Sequence, residues 1–276
     1  MRPIEDQVVL ITGATSGLGQ ALAQRLAQMG ATVVAHGRDQ GRLQALAEQV
    51  AASGGRGINT VRADLAEIRQ VDSLADTVLQ RHHRLHALVN NAGVGFGPPR
   101  GERELSVDGI ELRFAVNHLA GYALARRLAD RLAASAPARI VQVASAAQLA
   151  LDPEEPLTAV NYDGITAYRR SKLAQIMATY DLAADLVGTG VTVNAVHPAS
   201  FMDTAMVREY GQQPLSTVDE GLQAVLRLVT DPALDGVSGR YFNGIHSAEP
   251  DPQADDPAVR GWLRSFSEDL LRRART

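Results

Sequence analysis

The sequence contains no cysteine, which removes disulfides, thiolate metal sites and cysteine nucleophiles together. Lysine is nearly absent as well: of 27 basic residues, 26 are arginine and one is lysine, Lys172. Arginine and lysine differ where a compact ammonium or a tunable pKa is needed, so a single lysine in an arginine-only chain marks a position where guanidinium fails. No apolar run is long enough to cross a bilayer, and the first residues lack the apolar stretch of a secretory signal. A cytoplasmic protein without membrane contact is expected. Charge of one sign is not concentrated anywhere. The net charge is −4 with a pI near 6.0, and without a basic stripe no nucleic-acid partner is expected. Neither a nucleophile elbow nor a P-loop lysine occurs, which leaves hydrolase and kinase readings without support.

What is present is an alternation of short apolar runs and longer helical patterns without a repeat or linker. The runs are Val8 to Ile11, Ala31 to Ala35, Ile58 to Arg62, Ala87 to Asn90, Ile140 to Ala144, Val191 to Val196 and Arg240 to Phe242. Helical spacing separates them at Gln40 to Ala52, Val71 to His82, Glu111 to Ala134, Ala167 to Val187 and Val218 to Val229. This is the βαβ rhythm of an α/β, doubly wound (Rossmann) seven-stranded parallel sheet with helices on both faces, in a single domain over residues 1–276 with its core at 5–244. Three segments break the rhythm: 93–109 with Pro98 and Pro99, 146–166 with Pro153 and Pro156, and 199–216. They follow strands, or the helix beyond one, where ligands of open parallel sheets bind, so they are candidate substrate walls, and 199–216 reads as a lid. Phe96, Leu149, Leu151, Leu157, Phe201, Met202, Met206 and Tyr210 are their apolar members. Residues 246–276 read as a tail with a short helix, Ala258 to Arg273.

Thr12-Gly13-Ala14-Thr15-Ser16-Gly17-Leu18-Gly19 follows the first strand and opens the first helix, the context in which glycines let a backbone approach a pyrophosphate and a helix N-terminus meets its charge. At the end of the second strand, His36-Gly37-Arg38 offers no carboxylate to ribose hydroxyls, whereas Arg38 can pair with a 2′-phosphate. Asp39 suits a helix cap. These residues favour NADP(H) over NAD(H). Farther on, Tyr168 and Lys172 stand four residues apart and so share a helix face. A phenol near pKa 10 is too weak a base at neutral pH, and a neighbouring ammonium lowers it.

The spacing Thr-Gly-x-x-x-Gly-x-Gly resembles that of the short-chain dehydrogenase/reductase family, and the likeness extends over about residues 5 to 244. Asp64-Leu65 is similar to the family's adenine-contacting pair, and Asn90-Asn91-Ala92-Gly93 to its Asn-Asn-Ala-Gly motif. Asn161-Tyr162-Asp163 and Ser171-Lys172-Leu173-Ala174 look like the retinol-dehydrogenase-like branch and its bacterial relatives. The resemblance implies a catalytic set of Asn117, Ser145, Tyr168 and Lys172. It implies cofactor contacts from Thr12, Gly13, Thr15, Ser16, Gly17, Leu18, Gly19, Arg38, Asp64, Leu65, Asn91, Ala92, Gly93, Tyr168, Lys172, Pro198 and Thr204. It further implies a small-molecule carbonyl or alcohol substrate, apolar to judge from the loops, and a homodimer or homotetramer. The family's Pro-Gly after the sixth strand is Pro198-Ala199 here with one residue extra, which puts the place of Thr204 in question. A non-redox enzyme of the same fold and a nucleotide-sensing protein are the alternatives. No metal is expected: of His82, His83 and His86 the adjacent pair does not share a helix face, and no fitting carboxylate cluster accompanies them, so they read as an exposed helix end. His118 and His197 read as packing or supporting groups.

Overall fold

The computed structural model describes residues 2–97, 101–155, 157 and 162–276; Pro98, Pro99, Pro156 and Asn161 lie outside them. Strands β1 (Val8–Ile11), β2 (Thr32–Gly37), β3 (Asn59–Arg62), β4 (Ala87–Asn90), β5 (Ala138–Val143), β6 (Val191–His197), β7 (Arg240–Asn243) and β8 (His246–Ala248) form one sheet. Its order is β3-β2-β1-β4-β5-β6-β7-β8. All neighbours are parallel except β7 and β8. The sheet therefore has eight strands, not seven. The extra strand turns back from β7 through Gly244, at φ +58, and Ile245, a two-residue hairpin loop that needs glycine's left-handed freedom.

Helices α1 (Gly17–Gln28), α2 (Gln40–Ala52) and α7 (Val218–Thr230) cover one face. Helices α3 (Ile68–Arg81), α4 (Ala120–Ala134), α5 (Gly164–Asp185) and α8 (Pro257–Arg275) cover the other. The strands supply both layers by alternation: Val9 and Ile11 face the α1 side and Leu10 the α3 side, as a period of two dictates. Helix α4 is entered through a π-helical turn, Phe114–Leu119, and the short helix α6 (Ala205–Glu209) lies within segment 199–216.

The C-terminal helix is 19 residues long, not short. Asp256 caps it by accepting from the N–H groups of Ala258 and Val259, and Pro257 occupies its first position, where a missing N–H costs nothing. It buries Leu263, Leu270 and Leu271 in the core shared with α3, α4 and α5. Arg260 and Arg264 pair with Asp181 on α5, and Arg275 with Asp72 on α3. His118 also belongs here: it shares a hydrogen bond with Ser267 at 2.9 Å and stacks on Tyr122. His86, read as part of an exposed helix end, is buried instead, because its Nδ1 accepts the N–H of Val8 and ties the start of β1 to β4.

If α8 is part of the core, Leu271→Ala lowers unfolding free energy by about 2 to 4 kcal/mol. Denaturant titration checks this; a loss below about 0.5 kcal/mol would mean that the helix rests on the surface.

Candidate active site

The sheet order reverses between β1 and β4, where the chain leaves toward opposite faces and opens a crevice at the strand ends. Two side chains close the polar backbone there. Thr12 Oγ1 accepts the N–H groups of Asn91 and Ala92, each at 3.0 Å, and Asn91 Nδ2 donates to the carbonyls of Thr12 and Gly13. Thr12 and the Asn91 side chain thus lace the turn to β4 and are already engaged. The structure places these two side chains as scaffold for the crevice. Gly13 has φ +65, and a Cβ on it would stand 2.8 Å from Cα of Ala92, so only glycine fits. A Cβ at Gly19 would fall 2.2 Å from the Gly13 carbonyl oxygen, which lets α1 start directly against the turn. Ser16, at the N-cap of α1, makes no capping bond, and the first helical N–H groups receive no side-chain cap.

His36 braces this turn. Its Nδ1 accepts from Gly13 N–H at 3.3 Å and its Nε2 reaches the Ala63 carbonyl at 3.0 Å. Burial lowers its pKa to about 4, which keeps the ring neutral and able to play both roles. Thr15 packs against Gly37. Arg38 is exposed at the end of β2, and among the described residues no carboxylate pairs with it. Asp39 instead caps α2, accepting the Arg42 N–H at 3.0 Å. Asp64 accepts from Ala66 N–H, while Leu65 is buried in the α3-side core. Any ligand contact by Leu65 therefore falls to its backbone.

The loop after β4 carries the second half of the site. The π turn brings the Asn117 side chain onto this loop: Oδ1 accepts the Val94 N–H at 2.7 Å, and Nδ2 donates to the Val94 carbonyl and to Ser171 Oγ. Ser171 lies on α5 between Tyr168 and Lys172. A Cβ on Gly93 would lie 3.3 Å from Asn117 Oδ1 and 3.8 Å from Lys172 Nζ. The family resemblance points to Asn117 but not to this wiring, since a π turn has no composition of its own.

Tyr168 and Lys172 are both buried on α5. Burial pushes the Tyr168 phenol up, and Ser145 beside it draws it down. Ser145 follows β5, and its Oγ accepts the Ala147 N–H at 3.0 Å. Lys172 Nζ lies 5.7 Å from the Tyr168 ring centre and donates to the Val143 carbonyl at 2.9 Å and Gln175 Oε1 at 3.2 Å. Burial lowers its pKa to about 7. Gln175, held in turn by Gln142, is a lysine partner that no motif announces. His197 bonds Ser200, and burial followed by the charge of Lys172 lowers its pKa to about 4, so it is neutral support.

Segment 199–216 folds over this group. Its left-handed residues are Phe201, at φ +44, and Gly211, at φ +79; Ala199 does not adopt that conformation. Pro198 is buried. The chain then turns so that Thr204 heads α6 with its methyl beside Gly17 of the cradle. Met206 packs against Gly95, and Phe96 stands between Tyr168 and Tyr210, with ring centres 4.5 and 4.6 Å away. Of the apolar loop residues, Phe96, Met206 and Tyr210 gather beside Tyr168. Leu151 is buried in the α3-side core, Leu157 packs against that core and Met202 against the other. Among the described residues, no group of His, Cys, Asp or Glu side chains is arranged to hold a metal ion, and no helix is long and apolar enough to cross a membrane.

The sequence profile of the short chain dehydrogenase family matches residues 7–215. Retinol dehydrogenase 14 of Mus musculus is 37% identical over 294 residues, spanning 97% of this chain and 86% of its own. Among solved structures, an uncharacterized protein from Mycobacterium paratuberculosis superposes with a TM-score of 0.78 at 26% identity, covering 97% of this chain and 94% of that one. A short chain dehydrogenase from Burkholderia cenocepacia in complex with NADP superposes with a TM-score of 0.69 at 30% identity, covering 88% and 97%.

Lys172 titrates at about 7 when folded and at 10.5 in its unperturbed state. Between these values the unfolded chain binds more protons, so stability rises with pH across that window. Below it, both states are protonated and the burial penalty is fully present. The ligand-free protein should therefore gain stability relative to Lys172→Met as pH rises from about 7 to about 9.5, read from urea midpoints. A constant difference would contradict the assignment.

Proposed function

The chain belongs to the short chain dehydrogenase family, enzymes that use NAD(H) or NADP(H) to interconvert alcohols and carbonyl compounds, and from that premise we propose an NADP(H)-preferring oxidoreductase acting on apolar aldehydes, ketones or their alcohols through Tyr168. One observation carries this reading: the buried Tyr168 phenol has Ser145 beside it and the chain's single lysine one helical turn away.

The cradle fits a dinucleotide. The uncapped start of α1 presents N–H groups to a pyrophosphate, and the space beside Gly13 and Gly17 would be lost to any side chain. Thr15, Ser16, Gly17 and Leu18 would hold the phosphates, Asp64 and the Leu65 backbone the adenine end, and Ala92, Gly93, Tyr168, Lys172, Pro198 and Thr204 the nicotinamide half. Arg38, without a carboxylate partner among the described residues, would meet a 2′-phosphate, while Asp39 is occupied at the α2 cap. The bound cofactor supplies the hydride in reduction and accepts it in oxidation.

The protein's part is the proton. In reduction, Tyr168 Oη protonates the substrate oxygen; in oxidation, its phenolate takes the hydroxyl proton. Ser145 Oγ hydrogen-bonds the same oxygen as charge develops on it. Without ligand, burial holds both Tyr168 and Lys172 toward their neutral forms. Negative charge in the cradle favours the lysine's ammonium, and that ammonium in turn favours phenolate. Ligand binding and activation of the base are thereby coupled. Phe96, Met206 and Tyr210 give the substrate an apolar wall, and relatives named as retinol dehydrogenases agree with an apolar substrate. The faces of α4 and α5 that α8 covers are closed to a second copy, so a homodimer or homotetramer must form through other surfaces.

Nucleotide oxidation followed across a panel of apolar aldehydes and ketones tests the reading. Tyr168→Phe should lower kcat/KM by about 10² to 10⁴-fold while nucleotide binding persists; an active variant would remove Tyr168 from the mechanism. Arg38→Glu should weaken NADPH binding by about tenfold or more with little change for NADH, and a wild-type protein binding NADH as tightly as NADPH would contradict the preference.

A further inference from the structure

We propose that Arg113 is a positioning residue for the substrate site: an ionic knot centred on its buried guanidinium fixes the Phe96 wall against Tyr168. The inference rests on the redox reading above. Arg113 is fully buried and is the bulkiest such side chain among the described residues. Its Nε donates to the Gly95 carbonyl at 2.9 Å, one terminal nitrogen to Tyr162 Oη at 2.8 Å and Glu111 Oε1 at 3.3 Å, and the other to Glu104 Oε2 at 2.8 Å. Tyr162 Oη donates to Glu111 Oε1 at 3.0 Å, and Glu111 Oε2 accepts the Phe114 N–H at the start of the π turn.

These partners come from three different segments: the loop after β4, the connection into α4, and the residues entering α5. One planar fork therefore pins these three segments together. Room has been left for it. A Cβ on Gly97 would stand 2.4 Å from the guanidinium, and one on Gly164 would stand 2.1 Å from the Phe96 carbonyl oxygen. Phe96 is thus held on both sides, by Gly95 through Arg113 Nε and by the close seat on Gly164.

A buried charge cluster is a poor device for stability, because apolar side chains of the same volume often do as well or better. It is a good device for fixing geometry, since a guanidinium fork accepts only one arrangement of its partners. What it fixes here is the ring between the proton-transfer group and the lid. Near Tyr168, displacement of about 1 Å is enough to cost about 100-fold in rate.

Tyr162→Phe removes two hydrogen bonds of the knot and keeps the ring. It should lower kcat/KM for the carbonyl substrate by about tenfold while leaving the nucleotide KM within about twofold. In a Phe96→Leu background the same change should have no further effect, because Tyr162 acts through Phe96. Arg113→Lys, which keeps charge and loses the fork, should behave as Tyr162→Phe does. Equal effects in both backgrounds, an unchanged kcat/KM in Tyr162→Phe, or wild-type rates in Arg113→Lys would overturn the proposal. A crystal structure of Tyr162→Phe reads the geometry independently: Phe96 should leave Tyr168, and a ring still in place would overturn the proposal even if wild-type turnover of carbonyls, and with it the redox reading, had failed.

Discussion

The lacing of Thr12 to Asn91 at the reversal of strand order is the contact on which the rest of the site hangs. Two adjacent parallel strands whose chains depart toward opposite faces leave backbone groups that no third strand can satisfy. Four hydrogen bonds from two side chains close that gap and hold the glycine turn in fixed relation to the loop after β4. The next link is Asn117, which grips Val94 by both its N–H and its carbonyl and reaches Ser171 on α5. Through it, the helix bearing Tyr168 and Lys172 is registered to the cradle on the far side of the crevice. Asn117 thus transmits geometry whatever else it does.

The same registration explains the solitary lysine. Lys172 is buried, and its partners are a carbonyl and a neutral amide, not a carboxylate. A guanidinium there would be an obligatory buried charge without a counter-charge, since it does not shed its proton. An ammonium whose pKa falls to about 7 can exist in either form, and in the proposed mechanism that ambivalence is what would let ligand charge tune the neighbouring phenol. The buried Arg113 satisfies the opposite condition: two carboxylates and a phenol surround it, so permanent charge is tolerated and the fork becomes useful.

Much of this was legible in the sequence because it depends on local rules. Continuous apolar strands, glycines at the first strand-to-helix turn and a tyrosine one helical turn before a lysine are short-range signals. The features that were not legible depend on distant partners. Strand β8 is three residues long and mostly exposed, so it has no apolar alternation and exists through its pairing with β7. Helix α8 was legible as a helix in the tail, but its place in the core depends on α3, α4 and α5. Leu65, Leu151 and Met202 are as apolar as the residues at the site, and only the packing separates core from wall. Thr12 and Asn91 occupy motif positions next to a nucleotide cradle, and the sequence pattern does not distinguish a side chain that holds the cradle from one that would hold the ligand. The knot at Arg113 draws on residues up to 49 positions away that share no element.

The claim that Tyr168 completes a hydride-transfer site, and not a nucleotide sensor or a non-redox enzyme on the same scaffold, is tested most directly by the fate of an isotope label. Turnover of an apolar aldehyde or ketone with NADPH deuterated at both C4 positions should leave one deuterium on the carbinol carbon of each alcohol formed. A product formed without that deuterium, with the nucleotide unconsumed, would contradict the assignment.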